Sequence, residues 1–366
     1  MLTRFDDYPI HQTPEPVAQP GSSDRNFYDR YFFNGFAKDG GLFFAAAMGL
    51  YPNRRVMDAA FSVVRDGRQW SVRASRLAPV ERGETRVGPI TVEVVEPLRV
   101  LRVRVEADNP IRVSADLTFT ARGPVVEEPR FTWKPENRVM MDLTRLTQFG
   151  TWSGTIVVDG ATIAIEPARV LGCRDRSWGV RPIGEPEGGA PGAPPQFFWL
   201  WAPIHFDDVC AHFDVNEDGA GRRWHANGMV VPVGTDDPSR IETMTAVGHR
   251  IRWTSGMRRA TSAEIMLTSL DGTTRTIALE PMLTFQMRGL GYLDPEWGHG
   301  LWKGPEAVDG QVWTLADLDP MDPRHLHVQA LCRARMGERT GVGVLEQLVL
   351  GPHAPSGYRS ILDPAP

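Results

Sequence analysis

The feature that most constrains this chain is a period of two. In IRVSADLTFTAR, Ile111, Val113, Ala115, Leu117 and Phe119 fall on one side, and Arg112, Ser114, Asp116, Thr118 and Thr120 on the other. That alternation belongs to a strand with one face in a core and one in water. Six Asp-Gly pairs occur, and three separate such runs. Asp66-Gly67 lies between FSVVR and RQWSVRA, Asp159-Gly160 between TIVV and ATIAI, and Asp271-Gly272 between IMLTSL and TTRTIAL. Both residues of a tight hairpin turn must tolerate positive φ, as Asp and Gly do. Hairpins at this spacing specify antiparallel sheet.

The 36 glycines and 30 prolines supply the punctuation that many short strands need. Helical periodicity is confined to RVMMDLTRLTQFG, where Val139, Leu143 and Leu146 would share one face of a short helix ending at Gly150. Strands do not alternate with long helices, which disfavours a parallel α/β fold. The expected fold class is all-β: two tandem antiparallel barrels or sandwiches with few short helices.

A chain of 366 residues suits two domains of roughly 150 residues each. Residues 1–26 are polar and proline-rich and read as an extended arm. PIGEPEGGAPGAPP, Pro182 to Pro195, cannot be a core strand and reads as a linker or long surface loop. The expected organisation is an arm over 1–26, one barrel domain over 27–183 and a second over 184–366. The competing arrangement is a loop inserted into one large domain.

The net charge is −5 and no basic block stands apart from acidic neighbours, so nucleic acid is not an expected partner. The longest apolar run, Gly41 to Tyr51, is far short of the roughly 20 residues of a membrane helix. No apolar stretch follows a basic start, as a signal peptide would require. Three scattered cysteines (Cys173, Cys210, Cys332) fit a reducing compartment and form no CxxC pair. The expected location is the cytoplasm, without stable membrane insertion. His325 and His327 suggest a metal pair with no evident third ligand, and no metal site is assigned. The chain carries no GxSxG elbow, P-loop or strand-linked GxGxxG, and no cofactor is expected.

Two segments share Asp-x-x-Trp-Gly: CRDRSWGV, with Asp175, Trp178 and Gly179, and YLDPEWGH, with Asp294, Trp297 and Gly298. Each precedes a Trp-bearing stretch, and ten of the 11 tryptophans lie between Trp133 and Trp313. A carboxylic acid kept neutral by an apolar site can protonate an alkene, and indole faces stabilise the resulting cation. The structural alternative is a turn-capping Asp and a Trp-Gly plug at a barrel end.

With Arg174, Asp175, Trp178, Gly179, Arg181 and GYLDPEWGHG, the chain resembles the carotenoid hydratase (hydroxyneurosporene synthase) superfamily. Tocopherol cyclases and fungal lipocalin-like Diels–Alderases are looser relatives of that group. The resemblance runs from about Phe32 to Tyr358. MGLYPNRRVMDAAF and VGVLEQLVLGPHAPSGY set the chain on a bacterial branch apart from the carotenoid enzymes. The resemblance implies tandem lipocalin-like barrels around an apolar ligand and cofactor-free chemistry on isoprenoid or polyene molecules. In the hydratases a Tyr-x-Asp pair and a nearby His-x-Trp are associated with adding water to a terminal double bond. Tyr292 and Asp294 match the first pair. No His-x-Trp lies just upstream, and His299 is the histidine that would stand in.

Two functions follow as expectations. One is a cofactor-independent hydratase-like lyase, isomerase or cyclase acting on a hydrophobic unsaturated molecule. In it Asp294 is the general acid and Tyr292 orients it or the attacking water. Asp175 is a second carboxylate, held ionised by Arg174 or Arg181, or an alternative acid. Trp178, Trp199, Trp201 and Trp297 form an aromatic wall. The other is a lipid or terpenoid carrier that needs only the apolar cavity. Polar residues converging inside an apolar space would separate them.

Overall fold

The computed structural model describes residues 1–135, 138–185 and 194–365. Among these residues the helical segments are single 3-10 turns of three or four residues, and the rest of the regular structure is strand. Two antiparallel sheets carry the chain, one of fourteen strands and one of nine. The first curls into a nearly closed barrel and the second into a half-barrel.

The hairpin turns follow from their residue types. Asp66 and Gly67 adopt φ of 48° and 72° between Val56–Arg65 and Arg68–Leu77. Asp159 and Gly160 adopt 53° and 76° between Met141–Val158 and Ala161–Ile165. At Asp271-Gly272 the connection is longer, and only Gly272 is left-handed.

The helix expected to end at Gly150 is instead the strand Met141–Val158. It pairs with Val170–Val180 along its first part and with Ser114–Ala121 along its second. Thr144, Thr147, Thr151, Thr155, Ile156, Val157 and Val158 are β-branched and suit a pleated surface. Two flanking partners outweigh an apolar spacing carried by three residues, one of which, Val139, is exposed and precedes the strand.

In the first sheet Phe27–Ala37 runs between Phe43–Tyr51 and Val170–Val180. Phe33, Phe44 and Trp152 fill the barrel, whereas Tyr28, Phe32 and Phe36 turn outward to the second sheet. Phe43–Tyr51, the long apolar run, is a strand buried on both faces. In the second sheet Phe197–His205 lies between Val209–Glu217 and Arg339–Leu350. Leu200, Ala202 and Ile204 face the half-barrel core, and Trp199 and Trp201 face the first sheet.

Glu306–Thr314 pairs with Arg68–Leu77, so the second half of the sequence contributes a strand to the first sheet. Within the stretch read as a linker, residues 186–193 lie outside the described residues. The arm contains one 3-10 turn, Arg4–Asp7, and no strand before Phe27. No helix among the described residues is long and apolar enough to cross a membrane.

Candidate functional site

The second Asp-x-x-Trp-Gly copy is a turn. Asp294 Oδ1 accepts the backbone N–H groups of Glu296 (2.9 Å) and Trp297 (2.8 Å). Its Oδ2 accepts Arg73 Nη1 (2.8 Å) and Arg288 Nε (3.0 Å). Burial alone would raise its pKa, but the two N–H donors and two guanidinium groups outweigh it and hold the carboxyl below the usual range. This corrects the expectation of a neutral acid. Asp294 is an ionised anchor that ties the turn to the barrel.

Around it the side chains are close-packed. His299 is kept neutral by burial, with Arg30 and Arg181 opposing a further positive charge. Its Nε2 therefore donates to Leu290 O (2.9 Å), and Nδ1 accepts from Arg181 Nη2 (3.3 Å). The Tyr292 ring meets His299 and His327 edge-on, at 4.4 and 4.6 Å, with Arg30 5.0 Å from its centre. The cavity bounded by Arg73, Gly291, Trp297 and His299 is about 10 Å³. That is room for one water at most.

The first copy is extended strand, so the two motifs share residues but not conformation. Asp175 lies opposite Phe32 on one neighbour and Thr147 on the other. Its face of the barrel looks toward the second sheet, and Phe32 meets Trp201 edge-on at 6.3 Å. Burial, with Arg145 opposing and Glu128 assisting, pushes its carboxyl up to about 7. Arg174 does not hold it: that side chain donates to Gln148 Oε1 at 2.9 Å. Arg181 covers Tyr28 at 4.6 Å instead.

The expected aromatic wall divides. Trp199 and Trp201 are buried between the sheets, Trp178 is 39% exposed, and Trp297 is half-buried beside Arg73 (5.8 Å) and Lys303 (5.2 Å).

A polar layer surrounds Asp175. Arg145 binds both Glu128 and Asp214, and its guanidinium covers Trp199 at 5.1 Å. Asp214 also meets His212 Nε2 (3.0 Å) and His225 Nε2 (2.9 Å). Glu128, His212 and Asp214 are the one group of described residues whose ligand atoms converge as a metal would need. Arg145 supplies the cation between those two carboxylates. Farther along, Glu346 accepts Trp199 Nε1 (3.0 Å), His327 Nε2 (2.7 Å) and Gln329 Nε2 (2.6 Å). Asn34 Nδ2 donates to Gln329 Oε1 (3.1 Å), joining the two sheets. His325 binds Asp319 O and Arg288 instead, so it shares no partner with His327.

Residues 2–359 match the profile described as Family of unknown function (DUF8625). The chain belongs to that family. No curated protein matches the sequence. Among solved structures, the DUF8625 chain is similar to a protein described as AttH from Nitrosomonas europaea. There the TM-score is 0.55 at 15% identity, covering 93% of this chain and 98% of that one. It is also similar to kievitone hydratase from Nectria haematococca, at TM-score 0.54 and 11% identity, covering 87% and 88% of the two chains. A third is CghA, solved with Sch210972, at TM-score 0.52 and 12% identity, covering 89% of each. At these identities the likeness is one of fold alone.

Sequence reasoning missed Arg145, Glu128, Asp214, His225 and Glu346. The signal was present in HFDVNE, where His212, Asp214 and Asn216 alternate with Phe213 and Val215. Alternation assigns such residues to a wetted face. In this DUF8625 chain all three are fully buried, facing another sheet rather than water.

Proposed function

We propose that the chain is a cofactor-independent enzyme that adds water to, removes it from, or cyclises a hydrophobic unsaturated small molecule, with Asp175 as its acid. One observation carries the reading: Asp175 is a half-buried carboxyl pushed up to about 7, in a layer where polar side chains converge among aromatic rings. Near neutral pH about half of such groups hold a proton. Asp175 gives that proton to one alkene carbon and becomes a carboxylate. The cation left on the other carbon rests against Phe32, Trp199 and Trp201, whose π faces stabilise positive charge. Water then adds to it, and its proton passes to His327, which Glu346 orients at 2.7 Å. Dehydration is the reverse sequence. Loss of a different proton gives isomerisation, and attack by a second double bond gives cyclisation.

The similarity in fold to kievitone hydratase supports a hydratase-type reaction, and the resemblance to carotenoid hydratases supports an isoprenoid or polyene substrate. Tyr292 and His299 then position Arg181 and His327 rather than touch substrate, and Asp294 secures their turn. A carrier needs only apolar surface and leaves the Asp175 layer without a purpose.

The test is incubation with a panel of prenylated and polyene alkenes in deuterium oxide, read by mass spectrometry. The expected result is deuterium at carbon with the native chain and at least about 100-fold slower incorporation by Asp175→Asn, with ligand binding retained. Undiminished turnover by Asp175→Asn removes Asp175 from the reaction. Equal binding without chemistry in both proteins supports the carrier.

A further inference from the structure

Asp175 and Arg176 are consecutive on one strand and therefore face opposite ways. Asp175 faces the second sheet. Arg176 lies opposite Tyr31 and Leu146 and reaches the end of the first barrel. A cavity of about 980 Å³ opens there. That is the upper end of the usual range for small-molecule sites, roughly 300–1,000 Å³.

Its floor is the last layer of the barrel interior: Tyr31, Met48, Leu50, Met57 and Val92. Its roof is the arm, which contributes Phe5, Ile10 and Val17. The arm is fastened. Arg82 Nε and Nη2 donate to Val17 O (3.4 Å) and Ala18 O (3.1 Å). Glu81 accepts the backbone N–H of Arg4 at 3.2 Å. Within the arm, Asp6 accepts the N–H of Thr3 (2.5 Å) and of Val17 (2.8 Å), which folds the segment into a cap.

The cavity wall also carries charged side chains, among them Glu84, Arg86, Glu93 and Arg104, and the polar pair that touches its floor is Arg176 with Asp29. Arg176 pairs with Asp29 and lies 4.1 Å from the centre of the Tyr31 ring. An ion pair offers a hydrogen-bond donor and an acceptor side by side. A hydroxyl can use both, and a carbonyl can use the donor. A carboxylate would meet Asp29 as a like charge. Burial draws Arg176 down to about 10, which marks the surroundings as poorly hydrated.

We propose that the arm-capped end of the first barrel is a second binding site, for an elongated apolar molecule ending in a hydroxyl or carbonyl. Arg176 and Asp29 hold the polar end, and Met48, Leu50 and Met57 enclose the chain. The site is separate from the Asp175 layer and does not depend on its chemistry.

The probe is all-trans-retinol, a fluorescent polyene alcohol, added to the full-length protein and compared with all-trans-retinoic acid. The expected result is saturable retinol fluorescence at one site, with the acid at least tenfold weaker. Leu50→Trp fills the cavity and should weaken retinol at least tenfold, while Asp175→Asn leaves it unchanged. Arg82→Ala releases the arm without touching the barrel and should speed retinol release at least fivefold. It carries the test if Leu50→Trp fails to fold. Absence of retinol binding overturns the proposal. So does unchanged affinity in Leu50→Trp with unchanged release in Arg82→Ala, or loss of retinol binding in Asp175→Asn.

Discussion

Arg73 and Asp294 meet across 221 positions of sequence, with Nη1 2.8 Å from Oδ2 and side chains only 4% and 2% exposed. Losing this carboxylate leaves Arg73 with Asp309 (3.2 Å) and Gln311 (2.8 Å), so the cost is that of the lost charged hydrogen bonds, about 1.5–3 kcal/mol. Asp294→Asn should therefore lower stability by about that amount in urea unfolding. Asp294 titrates below its unfolded value of 3.8, so its contribution is complete above that value and is lost as the pH falls through the folded one. The native chain and the variant should converge in stability as the pH falls through that lowered folded value. Equal stability at pH 7 would contradict the anchor role.

The antiparallel class was legible in the sequence because period two and Asp-Gly turns are local signals. FSVVRDGRQWSVRA folds as its residues require. Met141–Val158 was not, because its strand character comes from two partners distant in sequence. Asp175 and Asp294 looked equivalent in Asp-x-x-Trp-Gly. Their difference lies in what surrounds them: Arg73 arrives from a distant strand to ionise Asp294, and nothing in the motif announces it. The polar layer was hidden for a related reason. Alternation separates two faces of a strand without saying whether the polar face meets water or another sheet.

Asp175→Asn should change the pH dependence of stability. The folded carboxyl titrates at about 7 against 3.8 when unfolded. The folded state then holds the proton more tightly, so stability is greatest below pH 4 for this group and falls as the pH rises through 7. The shift corresponds to a cost on the order of 4 kcal/mol above pH 7. Asparagine carries no charge, so the variant should equal or exceed the native chain in melting temperature at pH 8. If catalysis uses the neutral acid, native kcat/KM declines above about pH 7.

Glu217 clamps the carboxy-terminal segment to the second sheet. Its carboxylate meets His249 Nε2 (2.9 Å), His353 Nε2 (3.0 Å) and Arg223 Nε (3.1 Å). Burial opposes ionisation, but bonds from the two histidines and Arg223 outweigh it and lower the pKa. Its contribution is thus present above the unfolded value of 4.5 and fades as the pH falls through the folded one. Glu217→Gln should cost about 1–3 kcal/mol. It should also raise hydrogen exchange at His353 and Tyr358, whose backbones bond each other. Unchanged exchange there would remove the clamp.

Arg145 supplies the last test, because its charge acts on three carboxyls together. It binds Glu128 and Asp214 directly and lowers the pKa of Asp175 through space. Arg145→Met leaves two buried carboxylates without their cation and should destabilise by about 3–5 kcal/mol. A purely structural arginine would show that loss and nothing more. An arginine that tunes Asp175 has a second effect: without it, Asp175 keeps its proton to higher pH. The alkaline limb of kcat/KM should therefore move upward in Arg145→Met, provided the variant folds. Arg145→Lys keeps the charge but loses the planar, two-sided geometry. It should restore the native pH profile more fully than it restores stability. An alkaline limb identical in all three proteins would separate Arg145 from the acid, leaving burial and the neighbouring carboxylates to raise Asp175.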